Sequence, residues 1–236
     1  MMRSLPLLLL CAFLAACGVG GAEDESPGDA CTVHLSPGPD DQGTIQSALI
    51  GASAGSVICF DEGTYHLTDG LFLSVPAISL RPTDGPVTLD FSGQAVDAPG
   101  LDVTGDDVTI DGLAFRNTTG DAIRLIQVDN VKVRRLRIEW NSDAPPVAEA
   151  HGISVLGASN VIVEACKVWG AAGNGVLVAS SAGVTIRSSS VQESGGGIAV
   201  EGSSDVEQVN NRLRNNAPPA PEVEEEQLLP TEILPE

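Results

Sequence analysis

Between Gly100 and Val200 the chain repeats itself with a period of about 22 residues, and that period restricts its possible folds more than any single residue does. Four segments superimpose: Gly100-Leu-Asp-Val103, Ala122-Ile-Arg-Leu125, Gly152-Ile-Ser-Val155 and Gly175-Val-Leu-Val178; a fifth, Gly197-Ile-Ala-Val200, follows. The steps between their starts are nearly equal, except that the one from Ala122 to Gly152 is longer. A second alternating stretch comes after each of the first four, at Val108-Thr-Ile110, Val131-Lys-Val133, Val161-Ile-Val163 and Val184-Thr-Ile186. A third is carried by Leu113/Phe115, Leu136/Ile138, Cys166/Val168 and Ser189/Val191. Apolar and polar residues alternate within each piece, the period of a strand with one buried face. Three short strands per unit, separated by Gly, Asn, Asp and Ser, describe one coil of a parallel β-helix, an all-β solenoid.

The N-terminus reads differently. Arg3 precedes an apolar stretch, Leu5 to Phe13, that is too short to span a bilayer as a mature helix and has the order of an export signal. It ends in Leu14-Ala15-Ala16-Cys17, which resembles the lipobox of bacterial lipoproteins. That resemblance implies removal of residues 1–16, lipidation of Cys17 and, with Gly18 rather than Asp following, placement in the outer membrane. Attachment through several acyl chains, at about 0.8 kcal/mol per buried methylene, is stable. Residues 17–30 have no apolar period and carry four acids, as a flexible tether does. Residues 217–236 hold five prolines and six glutamates and read as a disordered tail. The solenoid is therefore expected over 31–216.

Charge narrows the partners. The whole chain has 12 cations against 32 acids, a formal charge of −20. Within 31–216 there are 11 cations and 22 acids, which gives −11. Such a surface repels phosphate backbones and argues against nucleic acid. One local cation cluster exists, Lys132, Arg134, Arg135 and Arg137, which reads as an outward strand face of solvated side chains. Of five cysteines, Cys11 belongs to the signal and Cys17 to the lipid. Cys31 and Cys59 are expected to pair in the oxidising compartment that export implies. Cys166 takes the inward place held by Leu113 and Leu136 and reads as a buried thiol acting as a small hydrophobe.

Before the repeats, Asp41 to Ile50 fits a short amphipathic helix with Ile45, Ala48 and Leu49 on one face. It is followed by Gly55-Ser-Val-Ile-Cys-Phe-Asp-Glu-Gly63-Thr-Tyr65. A helix feeding a strand and a Gly turn covers the open first coil of many solenoids, which makes 31–66 an N-terminal cap. With these residues the chain resembles the right-handed parallel β-helix superfamily, the pectate-lyase-like group, and within it exported bacterial proteins of the parallel β-helix repeat type. The resemblance covers about 31–216 and implies a fold, not a reaction. The C-terminal end departs from it. In Val206-Glu-Gln-Val-Asn-Asn-Arg-Leu213, Gln208 and Asn211 stand where inward apolar residues are expected. An open edge there invites self-association.

In enzymes of that superfamily the outer surface of the first strand of each coil forms a shallow groove. Here the outward row is Asp102, Arg124, Ser154, Leu177 and Ala199, and a stack of Asp121, His151, Asn174 and Gly196 lies beside it. Coils about 4.8 Å apart bring Asp121 and His151 towards hydrogen-bonding range. The long unit carries an insertion, 141–149, bounded by Trp140 and His151; an outward Trp140 would stack on a sugar ring. A carboxylate-oriented histidine beside an arginine suits proton removal next to a uronate carboxylate. The resemblance implies such chemistry, as lyases and mannuronan epimerases of the superfamily perform it. Neither the acidic cluster of calcium-dependent lyases nor the Asp-Pro-His motif of the epimerases is present. No cluster has zinc spacing, and Asp40-Asp41 and Asp106-Asp107 read as helix-start and turn residues, so neither cofactor nor metal is expected.

Three readings follow. The first is an envelope lipoprotein whose β-helix binds carbohydrate or another extended surface ligand without catalysis, through Trp140, Asn174, Ser154 and Asp102. The second is a uronide lyase or epimerase using His151, Asp121 and Arg124. The third is a structural solenoid docking an envelope protein or another copy of itself.

Overall fold

In the computed structural model the chain is a parallel β-helix, described for residues 30–94, 98–141 and 149–217. The export signal, Cys17, nearly all of the tether, the tail beyond Ala217 and most of the insertion at 141–149 lie outside the described residues. Among the described residues no helix is long and apolar enough to cross a membrane.

Three parallel sheets wrap one core. The first contains Leu71–Leu73, Leu101–Val103, Ile123–Ile126, Ile153–Leu156, Asn174–Ala179 and Gly196–Glu201. The second contains Val33–Leu35, Val57–Phe60, Ser79–Pro82, Thr109–Asp111, Lys132–Arg134, Ile162–Glu164, Ala182–Arg187 and Ser204–Val209. The third contains Gly63–His66, Val87–Asp90, Leu113–Arg116, Arg137–Glu139, Lys167–Trp169, Ser190–Gln192 and Arg212–Arg214. Each strand pairs in register with its counterpart one coil away, so Leu101, Ile123, Ile153, Val176 and Ile198 form one file. Leu89, Phe115, Ile138, Val168 and Val191 form another, and both files point inward to a shared core.

The corners explain how straight strands close into a coil. Between the second and third sheets the chain turns at Gly112, Arg135, Ala165, Ser188 and Asn210, all in the left-handed region at φ between 53° and 70°. That conformation is costly for residues other than glycine. Its repetition, coil after coil, shows that the stacking of neighbouring strands outweighs the local preference.

Both ends are finished with side-chain amides. The expected helix spans Asp41–Gly51, with Asp40 as its N-cap accepting from the Gly43 N–H and Ile45 and Leu49 buried. Its Gln46 pairs with both the N–H and the C=O of Phe72, while Gln42 accepts from Thr68 and Asp69 and donates to Gly70. Four helical residues advance about 6 Å, close to two strand residues at about 6.6 Å. The helix thus presents a strand-like partner to the free edge of Leu71–Leu73. At the other end, Asn211 accepts from the Ser189 N–H and donates to the Ile186 carbonyl, and Asn216 does the same for Ser194 and Val191. Asn211 is therefore a bracket for the preceding coil, which accounts for the missing apolar residue. Gln208 is exposed, as are Val200 and Leu213 at 41 % and 49 %, because among the described residues nothing stacks on this last coil.

Cys166 is buried, its thiol directed at the carbonyls of Val133 and Glu164, and burial pushes the thiol up to about 12. It is a core group, not a nucleophile. Cys31 and Cys59 form a disulfide that ties the entry segment to the buried strand Val57–Phe60. Replacing both by alanine is expected to lower the unfolding free energy by about 3.5 kcal/mol, the chain-entropy value for a loop of about 29 residues. Urea denaturation of oxidised wild type against the double variant checks this, and equal midpoints would contradict it.

Candidate functional site

The outward row of the first sheet runs Phe72, Asp102, Arg124, Ser154, Leu177, Ala199 in strict register. Arg124 and Asp102, one coil apart, make a two-pronged ion pair, Nε to Oδ1 and NH2 to Oδ2 at 2.7 Å each. The hydrogen bonds to Asp102 are the main reason that the guanidinium holds its proton even more firmly than usual, burial opposing them. Asp102 is largely buried and spent on this pair. Ser154 has 0 % exposure, and its hydroxyl donates to Asp121 Oδ2 at 2.8 Å.

Asp121 and His151 do meet, but through other atoms than a catalytic dyad would use. Asp121 Oδ1 accepts the backbone N–H of His151 at 2.7 Å, not its ring. The His151 ring accepts at Nδ1 from the backbone N–H of Asn174, at 2.8 Å. An imidazole accepting at Nδ1 carries its proton on Nε2 when neutral, so neither nitrogen offers a free lone pair to a substrate proton. Asp121, with both oxygens engaged, works as a brace between coils. Beside His151 lies an open cleft of about 530 Å³ whose lining includes Glu149, Asn174, Leu177 and Glu201. It contains two carboxylates and no cation. Of the four residues expected to bind ligand, only Asn174 lines it.

Trp140 is core. It is 3 % exposed, and its Nε1–H donates to the Thr118 carbonyl at 2.6 Å, so no sugar can reach the ring. Two places after inward Ile138, it points the same way.

A second surface, on the third sheet, was missed by reading only the first strand of each coil. Its outward rows are Arg137, Lys167, Ser190, Arg212 and Arg116, Glu139, Trp169, Gln192, Arg214. Trp169 is 43 % exposed. Glu139 is gripped by Arg116 at 2.6 Å from one coil back and by Arg137 at 2.7 Å from its own strand. Burial would raise this carboxyl, but the two guanidiniums overcome it and hold it below its ordinary range. Lys167, Arg212 and Arg214 are in no ion pair among the described residues. The cation cluster seen in sequence divides here. Arg134 and Arg135 both bind Asp111, whereas Arg137 joins this face. The parity of the third strands, inward at Phe115, Ile138, Val168 and Val191, was the signal for this surface. No group of three or more His, Cys, Asp or Glu side chains suited to a metal occurs among the described residues.

Comparison with known proteins bears on the fold. The sequence matches the family described as "Right handed beta helix region" over residues 78–225. An alginate lyase from Paenibacillus sp. str. FPU-7 is similar in structure, with TM-score 0.56 and 18 % identity, over 77 % of this chain and 76 % of that one. The catalytic domain of a GH87 α-1,3-glucanase, in complex with nigerose, gives TM-score 0.58 and 16 % identity over 76 % of this chain and 33 % of that one. ORF18 of Geobacillus virus E2 gives 0.59 and 14 % over 76 % and 41 %. Comparison with curated proteins gives no match.

The bonding on the first face makes its residues structural, and this is measurable. Arg124→Ala leaves the Asp102 carboxylate buried without its partner and is expected to cost about 1–3 kcal/mol; His151→Ala strands one backbone N–H and is expected to cost about 1 kcal/mol. Urea unfolding of each variant checks the values, and a His151→Ala protein as stable as wild type would refute the bracing role.

Proposed function

The chain belongs to the right-handed β-helix family, and on that footing we propose that it is a carbohydrate-binding protein of the bacterial envelope that holds its ligand without turning it over. The observation carrying this reading is the bonding of His151. Its Nδ1 is occupied by the Asn174 N–H, and Asp121 and Arg124, its supposed helpers, are occupied by Ser154 and by Asp102. A general base needs a free lone pair within reach of the substrate proton, and the His151 ring, with Nδ1 accepting from Asn174, supplies none. Support for carbohydrate comes from long ladders of outward side chains on flat sheets, and from folds of the same kind in an alginate lyase and an α-1,3-glucanase. An extended polymer matches a surface that repeats with every coil.

Anchoring belongs to the same reading. With Cys17 lipidated, the acidic segment behind it holds the β-helix away from the bilayer and free to meet glycans. Cells fed a radiolabelled fatty acid are expected to label the wild type and not Cys17→Ala; equal label in both would remove the anchor.

Activity is tested by incubating the purified protein with a panel of neutral and uronide polysaccharides. Binding is expected, with neither new reducing ends nor unsaturated products. Product formation that His151→Ala abolishes, in a protein still folded, would replace this reading with a lyase or epimerase.

A further inference from the structure

We infer that the third-sheet face around Trp169 is a binding site for anionic sugar residues, with carboxylated pyranosides as its ligand class; this rests on the reading of the protein as a carbohydrate binder. Three observations converge. The first is shape. A groove of about 410 Å³ between the outward side chains of three successive coils is lined by Arg137, Lys167, Trp169, Ser190 and Gln192. A second recess, of about 220 Å³, shares Trp169 and Glu139 with it and is also bounded by Arg116, Trp140 and Asn141. The indole therefore borders both hollows.

The second is the indole itself. An aromatic ring standing 43 % exposed on an outward strand position gains nothing from the core, whose packing at this coil is done by Val168. A broad apolar plane with a polar edge suits the C–H face of a pyranose.

The third is charge. The charged residues lining the two hollows are Arg116, Arg137, Lys167 and one carboxylate, Glu139, a local excess of two cations within an ordered domain of formal charge −11, while Asp90, in register with Arg116 one coil back, lies outside the lining and bonds Ser92. Arg137 spends Nε on Glu139, and its side chain is 68 % exposed. The Lys167 ammonium has no acidic partner among the described residues. Arg–carboxylate contacts are directional and roughly twice as strong as neutral hydrogen bonds. Glu139 aims its two guanidiniums instead of cancelling them. The contrast with the cleft at His151, which holds Glu149 and Glu201 and no cation, locates the acidic sugar here.

Successive coils are about 4.8 Å apart, comparable with the advance of one sugar residue along an extended chain. A uronide lying along the sheet would stack on Trp169 and set carboxylates against Arg137 or Lys167, and against Arg116.

The experiment is a titration of the full chain with oligogalacturonates, followed through the two indole N–H signals in ¹H–¹⁵N spectra. The chain has two tryptophans; Trp140 is buried at the edge of the smaller recess, with its indole N–H held by the Thr118 carbonyl. The Trp169 signal is expected to move much further than that of Trp140. Arg137→Ala/Lys167→Ala is expected to weaken binding about tenfold or more, and Trp169→Ala, whose binding is followed by calorimetry because the reporting indole is gone, to do the same with the Trp140 signal in its wild-type place. Neutral cello-oligosaccharides are expected to leave Trp169 unmoved. Oligogalacturonate binding that neither shifts Trp169 nor depends on these residues overturns the site while the carbohydrate reading stands. Equal shifts with neutral sugars overturn the ligand class. A Trp169 shift produced merely by concentrating the protein assigns the face to a second copy and overturns the proposal. If no glycan of either kind binds the wild type, both readings fall together.

Discussion

Every strand of this fold is hydrogen-bonded to a partner one coil away, so the length of the coil decides which side chain lies over which. Most coils are nearly equal in length, and two are longer, from Leu71 to Leu101 and from Ile123 to Ile153. Ile153 pairs with Ile123 behind it and with Val176 ahead of it in the same register, although the chain makes a longer excursion on the way from Ile123. The extra residues of that excursion are confined to one corner, between the third sheet and the first, and the strands on either side keep their alignment. A shift of a single residue within a strand would instead send its Val and Ile file to solvent. That asymmetry lets the corners vary while the three faces remain fixed ladders of outward side chains.

Ladders must also end, and the two ends of this solenoid are solved by the same group. The glutamines of helix Asp41–Gly51 and the asparagines of the last coil each supply an amide that donates and accepts at once, as a peptide unit does. At the N-terminal end a whole helix also covers the apolar interior with Ile45 and Leu49. At the C-terminal end the change begins earlier. Ser181, Ser189 and Ser194 already replace apolar residues at the three corners, each accepting a backbone N–H from the coil before. The core grows polar towards its edge, which lowers the cost of ending there.

The architecture was legible because burial imposes a period on composition: from Leu101 onward each file of Val, Ile and Leu recurs at the coil spacing, whereas the coil of Leu71–Leu73, Ser79–Pro82 and Val87–Asp90, 30 residues before its successor on the first sheet, falls outside that period. Corners were less legible, since Arg135, Ala165 and Glu193 hold left-handed conformations that sequence associates with glycine or asparagine. The candidate site was legible in position and not in bonding. Stacking correctly put Asp121 next to His151, yet only the folded geometry distinguishes a carboxylate on the imidazole from one on the backbone N–H. Trp140 and Trp169 show a signal that was present and unused. Both belong to the third side of a coil, and counting parity from Ile138 and Val168 turns the first inward and the second out.

The two outer faces differ in how they dispose of charge, and this difference carries functional meaning. On the first sheet Arg124 holds the buried Asp102 with two hydrogen bonds, one cation to one carboxylate, and the pair is closed. On the third sheet one partly buried carboxylate, Glu139, serves two guanidiniums, which cannot both be neutralised by it. The remainder faces solvent next to an exposed indole. A strongly acidic domain gains nothing in solubility from such a spot, since its net charge already keeps copies apart. At physiological ionic strength, where screening acts over about 8 Å, the distant acids scarcely weaken the attraction that these cations exert on an anion in the groove. Local excess charge within a repulsive whole is a discriminating arrangement. On the proposed reading it favours a ligand that brings carboxylates to Arg137 and Lys167 over one that offers only a stacking face.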